Sequence, residues 1–214
     1  PRELKTLKKQ LLWGSSLLAY SFFFGWYTNL SGPLTDEEIE YYLLIVRSSS
    51  IYTQRIERLE QFMRSDSGDD FVMINLIDMN EAPPILPVTG QNAEANDLMN
   101  HYMEHMYVEL LKRASHPVFA GAAVANALEI IGIEGASHWD SGALIRYRSR
   151  RDLLDIALDP VFGERHDYKL AALSKTIAYP VEPSLNFGDL RLQLASLLIA
   201  LTSIIHLLVF TRKQ

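Results

Sequence analysis

The stretch LLWGSSLLAYSFFFGWYTNL, residues 11–30, contains no charged residue, and neither does LQLASLLIALTSIIHLLVF at 192–210. A helix rises 1.5 Å per residue and the hydrocarbon core of a bilayer is about 30 Å thick, so about 20 apolar residues span it. Both stretches are predicted to be membrane helices. Trp13 near one end of the first, and Trp26 and Tyr27 near the other, stand where amphipathic rings anchor at headgroups. A cleaved leader is the alternative for residues 11–30, but its apolar region is usually about 7–15 residues and ends in a small-residue cleavage site. Here the run is longer and closes on WYTNLSGP with no Ala-x-Ala. A buried core helix is the alternative for residues 192–210. Gly14, Ser15, Ser16 and Gly25 on one helix, and Ala195, Ser196, Ala200 and Ser203 on the other, are small enough to let helices approach closely in lipid.

Charge orients the chain. Arg2, Lys5, Lys8 and Lys9 outweigh Glu3 at one end, and Arg212 and Lys213 close the other. Residues 31–188 hold 13 Lys and Arg against 24 Asp and Glu. Basic residues beside a span stay cytoplasmic. The expectation is a two-pass protein of a bacterial inner membrane, both termini cytoplasmic and the acidic middle periplasmic. So acidic a domain lacks the basic footprint that phosphates need, which excludes nucleic acid as a partner. The chain has no cysteine, which excludes disulfides and thiolate chemistry.

Four parts are predicted: 1–30, a basic tip and span; 31–67, a pair of helices; 71–188, a mixed domain; and 190–214, a span and basic tip. Gly32 and Pro33 stop the first helix, and Thr35 with Glu38 forms a capping box for a helix over about 36–47. Ile51, Ile56, Leu59, Phe62 and Met63 recur at helical spacing. FVMINLID (71–78) reads as a buried strand, and residues 92–115 as a long amphipathic helix. HPVFAGAAVA is a second strand, with Pro117 marking a strand start or edge. GALIRYR (142–148) is a third strand. A short helix capped by Ser149 follows, then a helix starting at Pro160, then a strand at 175–182. The order β-α-β-β-α-β predicts an α+β, ferredoxin-like fold with helices on one sheet face and the other face bare. Two such faces commonly meet, so self-association through the sheet is expected.

The run WDSGALIRYRSRRDLLDIALDPVFGERHDYKLAALSKTIAYPV (139–181) resembles the C-terminal half of small domains in the dimeric α/β-barrel superfamily. They share a strand, a short helix ending in Asp-Pro (here Asp159-Pro160), a second helix and a strand, and FVMINLID resembles their first strand. The likeness covers about 71–182. Muconolactone-isomerase-like, antibiotic-monooxygenase-like and haem-degrading enzymes belong to that superfamily. The resemblance therefore implies a fold and the option of a ligand cavity, not a reaction.

Few residues offer chemistry. His206, the one ionisable residue inside a span, is a candidate ligand for haem or a chlorophyll-type pigment, or a histidine satisfied near the helix end. His101 and His105, at i and i+4 with Glu104 and Glu109 nearby, are a candidate metal half-site or a solvated helix face. His138 and Asp140 in SHWD are a candidate acid–base pair at a cavity mouth, or a turn cap. Arg146 and Arg148 share the sheet face with Leu144, and could bind a carboxylate substrate there or pair with an acidic partner across an oligomer interface. Asn75 and Tyr179 could line the same space. ERHDYK (164–169) reads as a solvated helix face. No phosphate loop, nucleophile elbow or repeat is present.

Two functions fit. The first is a non-catalytic accessory or scaffold subunit of a membrane assembly, its spans docked on other transmembrane helices and its outer domain making protein contacts. The second is a membrane-tethered small-molecule-binding protein or enzyme of the dimeric α/β-barrel type.

Overall fold

Phe71–Met79 alternates Phe71, Met73, Asn75 and Ile77 on one side with Val72, Ile74, Leu76 and Asp78 on the other, as a pleated strand requires. This strand, β1, lies inside a four-stranded antiparallel sheet of order β2-β3-β1-β4. The computed structural model describes residues 2–48 and 56–210. The helical position expected at Ile51 and the basic tip Arg212–Lys213 lie outside them.

The elements are α1 (Arg2–Tyr27), α2 (Asp36–Ser48), α3 (Ile56–Arg64), β1, α4 (Ala95–Lys112), β2 (His116–Ala122), β3 (Ser141–Tyr147), α5 (Arg150–Ala157), α6 (Pro160–Ala172), β4 (Leu173–Val181) and α7 (Leu190–Phe210). β1 pairs antiparallel with β3, Phe71 opposite Tyr147, and with β4, Val72 opposite Val181. The sheet order and the β-α-β-β-α-β succession from β1 onward define a ferredoxin-like α+β fold. Pro117 and Pro180 fall on the two edge strands, where a missing N–H breaks no ladder.

Helices cover one face. Phe71, Tyr147, Leu98, Tyr102, Met106, Leu110, Ile156, Phe162 and Tyr168 form the main core between sheet and helices. The opposite face is open: Phe119 and Tyr179 are 57% and 46% exposed on it. A second small core joins Leu34, Ile39, Tyr42 and Leu43 of the α2 region to Met63 and to Leu154 of α5. α2 has the expected capping box, Thr35 N–H donating to Glu38 Oε2 at 2.8 Å and Glu38 N–H to Thr35 Oγ1 at 3.3 Å. Arg151 donates to both Glu38 oxygens, and the Tyr42 hydroxyl to Asp155 at 2.7 Å, fastening α2 to α5. Gly68 sits at φ +84°, and a Cβ there would lie 2.7 Å from Pro33 N, so that turn requires glycine.

The chain divides into two compact units, residues 31–183 and the pair of terminal segments 1–30 and 184–214. The helical pair thus belongs with the sheet domain. In the other unit α1 packs on α7, with Ser16 Oγ and Thr202 Oγ1 2.6 Å apart. Among the described residues one helix, α7, is long and apolar enough to cross a membrane. The expectation of two flanking spans is met on that criterion at the C-terminal end alone. Gly14, Ser15, Ser16 and Ser21, together with the polar tips of its Trp and Tyr residues, dilute the apolar character of α1.

Candidate functional site

Between the helix-covered face of the sheet and the helices lies a cavity of about 560 Å³. Its wall is methionine-rich: Met73 on β1, and Met99, Met103 and Met106 at i, i+4 and i+7 on α4. Thioether side chains are flexible and polarisable, so such a wall adapts to differently shaped apolar ligands. Ala120, Ala143 and Ala178 leave the room that larger side chains on β2, β3 and β4 would fill. Asn75 contributes a polar group to the lining, its Nδ2 turned to the Met73 and Ala143 carbonyls. Tyr147 also lines it, and burial pushes that hydroxyl's pKa well up, so the wall stays neutral there.

A second, more polar hollow shares Ile77, Met99, Ala122 and Ser141 with the first and forms its mouth. Here the structure brings together three side chains. His138 Nε2 is 3.4 Å from Asp140 Oδ1 and 3.7 Å from Asp78 Oδ1. Asp140 is clamped just ahead of β3. Its N–H donates to Ile77 O (2.9 Å), its carbonyl accepts from Ala123 N–H (2.7 Å), and its Oδ2 accepts the Met79 N–H (2.6 Å). That N–H, with His138 beside it, holds the Asp140 carboxyl below the usual carboxylate range. Asp78 stands where the β1–β4 register shifts, the kind of irregularity that re-aims a side chain. Lys175 lies 3.3 Å from its Oδ2 and 4.9 Å from the Trp139 ring centroid.

His138 and Asp140, paired in the sequence, are thus found at a cavity mouth. Asp78 was missed, although it is the one charge in FVMINLIDM. Its partnership depends on strand register, which local sequence does not display.

The other expected residues are placed differently. Arg146 does lie on the face away from the helices but is 1% exposed: Nε donates to Asp70 (2.8 Å) and Nη1 to Ala114 O (2.8 Å). Arg148 is forked onto Asp152 at 2.9 and 2.7 Å. Arg146 is thus enclosed by its partners, and Arg148, 27% exposed, is paired along its own chain. Asn75 faces the cavity, whereas Tyr179, opposite Ile74, is on the other face. His101 packs edge-on to Tyr168 at 4.4 Å, and His105 Nε2 is buried without a hydrogen-bond partner. Among the described residues the only metal-suited cluster is Asp78, His138 and Asp140, so His101 and His105 gain no third ligand. ERHDYK is solvated in part: Glu164 and Asp167 are exposed, but His166 stacks on Phe162 at 5.2 Å, Tyr168 is buried, and Lys169 lines the cavity. His206 Nδ1 accepts the Trp13 indole N–H at 3.1 Å. That bond joins α7 to α1.

No protein-family model matches the chain, and no curated protein matches it. Among solved structures it is similar to a protein of unknown function from Rhodopseudomonas palustris, 19% identical, with a TM-score of 0.50 over 61% of this chain and 94% of that one. The methylated form of that protein gives 21% identity and the same TM-score over 62% and 93%. These likenesses establish the fold shared by the two proteins. A dimeric ferredoxin-like protein of unknown function from Bacteroides fragilis lies further off, at 12% identity and a TM-score of 0.33 over 53% and 96%.

Proposed function

We propose that the chain is a membrane-anchored protein that binds a small, largely apolar molecule between its sheet and its helices. The carrying observation is the cavity of about 560 Å³ with a methionine wall and a polar mouth. Ligand sites are typically about 300–1,000 Å³, mostly apolar, with a few placed polar groups. In this reading α7 spans the inner membrane and α1 spans beside it, the Trp13–His206 and Ser16–Thr202 bonds satisfying polar groups that lipid would strand. Both termini are cytoplasmic and the acidic domain is periplasmic. A single cysteine at exposed Lys112, in this cysteine-free chain, should react with an impermeant thiol reagent in intact cells. Reaction only after lysis would place the domain inside.

The binding test uses the full chain in lipid nanodiscs and the fluorescent fatty acid 11-(dansylamino)undecanoic acid, with empty discs as the blank. Saturable binding is expected, weakened at least tenfold by Ala178→Phe, which occupies the cavity from β4. Equal binding by the variant would reject the cavity as the site.

A second reading, the accessory subunit, is favoured by a different observation. In the β2–β3 loop Val124, Leu128 and Ile131 are 102%, 98% and 81% exposed, and no Lys or Arg occurs from 114 to 145. Exposed aliphatic groups of that kind mark protein contacts. The open sheet face supports self-association in either reading.

A further inference from the structure

We propose that Asp78, His138 and Asp140 bind a first-row divalent metal ion, Zn²⁺ or Mn²⁺, at the cavity mouth. Three ligand atoms converge there, one from each of His138, Asp78 and Asp140 and all within 4.8 Å of one another, and the carboxylate oxygen nearest His138 Nε2 is Oδ1 on both aspartates. Two donors each about 2.1 Å from one ion stand ~3.0–3.4 Å apart at octahedral to tetrahedral angles. The His138–Asp140 separation of 3.4 Å already fits, and the 3.7 Å to Asp78 needs a contraction of a few tenths of an ångström.

What distinguishes this cluster from chance acidic neighbours is that every second atom is held from outside it. Asn126 Oδ1 lies 3.2 Å from His138 Nδ1. With its hydrogen on Nδ1 donated to that amide oxygen, the neutral ring turns its Nε2 lone pair toward two carboxylates. That arrangement is repulsive unless a proton or a metal ion sits between them. Asp140 Oδ2 is fixed by the Met79 N–H and Asp78 Oδ2 by Lys175, leaving each Oδ1 for the ion. Outer partners that set tautomer and orientation in this way accompany functional metal ligands. One imidazole and two carboxylates suit Zn²⁺ or Mn²⁺. Three protein ligands leave coordination positions open, and the hollow beyond is lined by the oxygen-bearing side chains of Asn80, Glu81 and Asn96. An ion there would receive the polar end of a molecule whose apolar body enters the adjoining cavity.

The test uses the full chain in detergent, stripped with EDTA and desalted, then titrated with MnCl₂ at pH 7.5 while the free-Mn²⁺ resonance signal is followed; Zn²⁺ is added as competitor. One saturable Mn²⁺ per chain, displaced by Zn²⁺, is expected. His138→Ala and Asp78→Asn should weaken it at least tenfold, and Asn126→Ala about tenfold through the ring hydrogen bond. His101→Ala should leave it unchanged. The His138 side chain is 58% exposed, so its variant folds and decides the matter even if Asp78→Asn does not. No saturable binding, or equal binding by His138→Ala, overturns the proposal: a proton then fills the gap. Metal is titrated without any cavity ligand, so this result and the cavity result are independent.

Discussion

Arg146 shows why a residue's chemistry does not reveal its role. An arginine alternating with Leu144 on a strand looks like a ligand for an anion, yet its side chain is the largest among the fully buried ones and is held by Asp70 and the Ala114 carbonyl. Removing one partner of a buried pair leaves the other uncompensated, at a cost of about 3–5 kcal/mol. Arg146→Ala is therefore expected to destabilise the domain by that amount in urea unfolding. Arg146→Lys should recover little, since a point charge cannot make both bonds. Loss of probe binding without loss of stability would instead mark Arg146 as a ligand. The sequence shows the arginine but not Asp70, because 76 residues separate the two.

Elements were more legible than residues. The buried-strand run FVMINLID, the Thr35–Glu38 box and the Ser149 cap are local signals, and each appears in the folded chain. The ERHDYK segment of α6 misled because helical charge patterning does not say which neighbour will cover it; α4 covers it here. Likewise α2 has no sequence signal for its attachment to α5, which depends on Glu38 and Arg151. The Arg151 guanidinium bonded to Glu38 lowers that carboxyl from its ordinary 4.5 to about 2. A depressed carboxylate contributes stability above its unfolded pKa and loses it as pH falls through the folded one. The α2–α5 contact should therefore weaken between about pH 4.5 and pH 2. Because both side chains are partly exposed, the loss is about 1 kcal/mol. Thermal unfolding of Glu38→Gln should lack that component of the acid dependence; an unchanged profile would mean the pair contributes nothing.

At the scale of the whole molecule, the open sheet face offers apolar side chains for pairing. Phe119 and Tyr179 stand exposed there among partly covered Ile74, Leu76, Leu144 and Ile177. Native mass measurement of the intact chain should give a homodimer, reduced to monomer by Phe119→Asp. A monomeric parent chain would reject pairing through this face, and a mass including foreign subunits would favour the accessory reading.

The sequence by itself determined the two uncharged apolar stretches, the acidic character of the middle and the order of most elements. These follow from composition and from periods of two and 3.6 residues, properties carried by neighbours along the chain. Only the tertiary structure decided that Asp78 meets His138 and Asp140, that Arg146 is enclosed and that His206 faces Trp13. Those outcomes rest on strand register and helix rotation, in which a shift of one residue exchanges one face for the other.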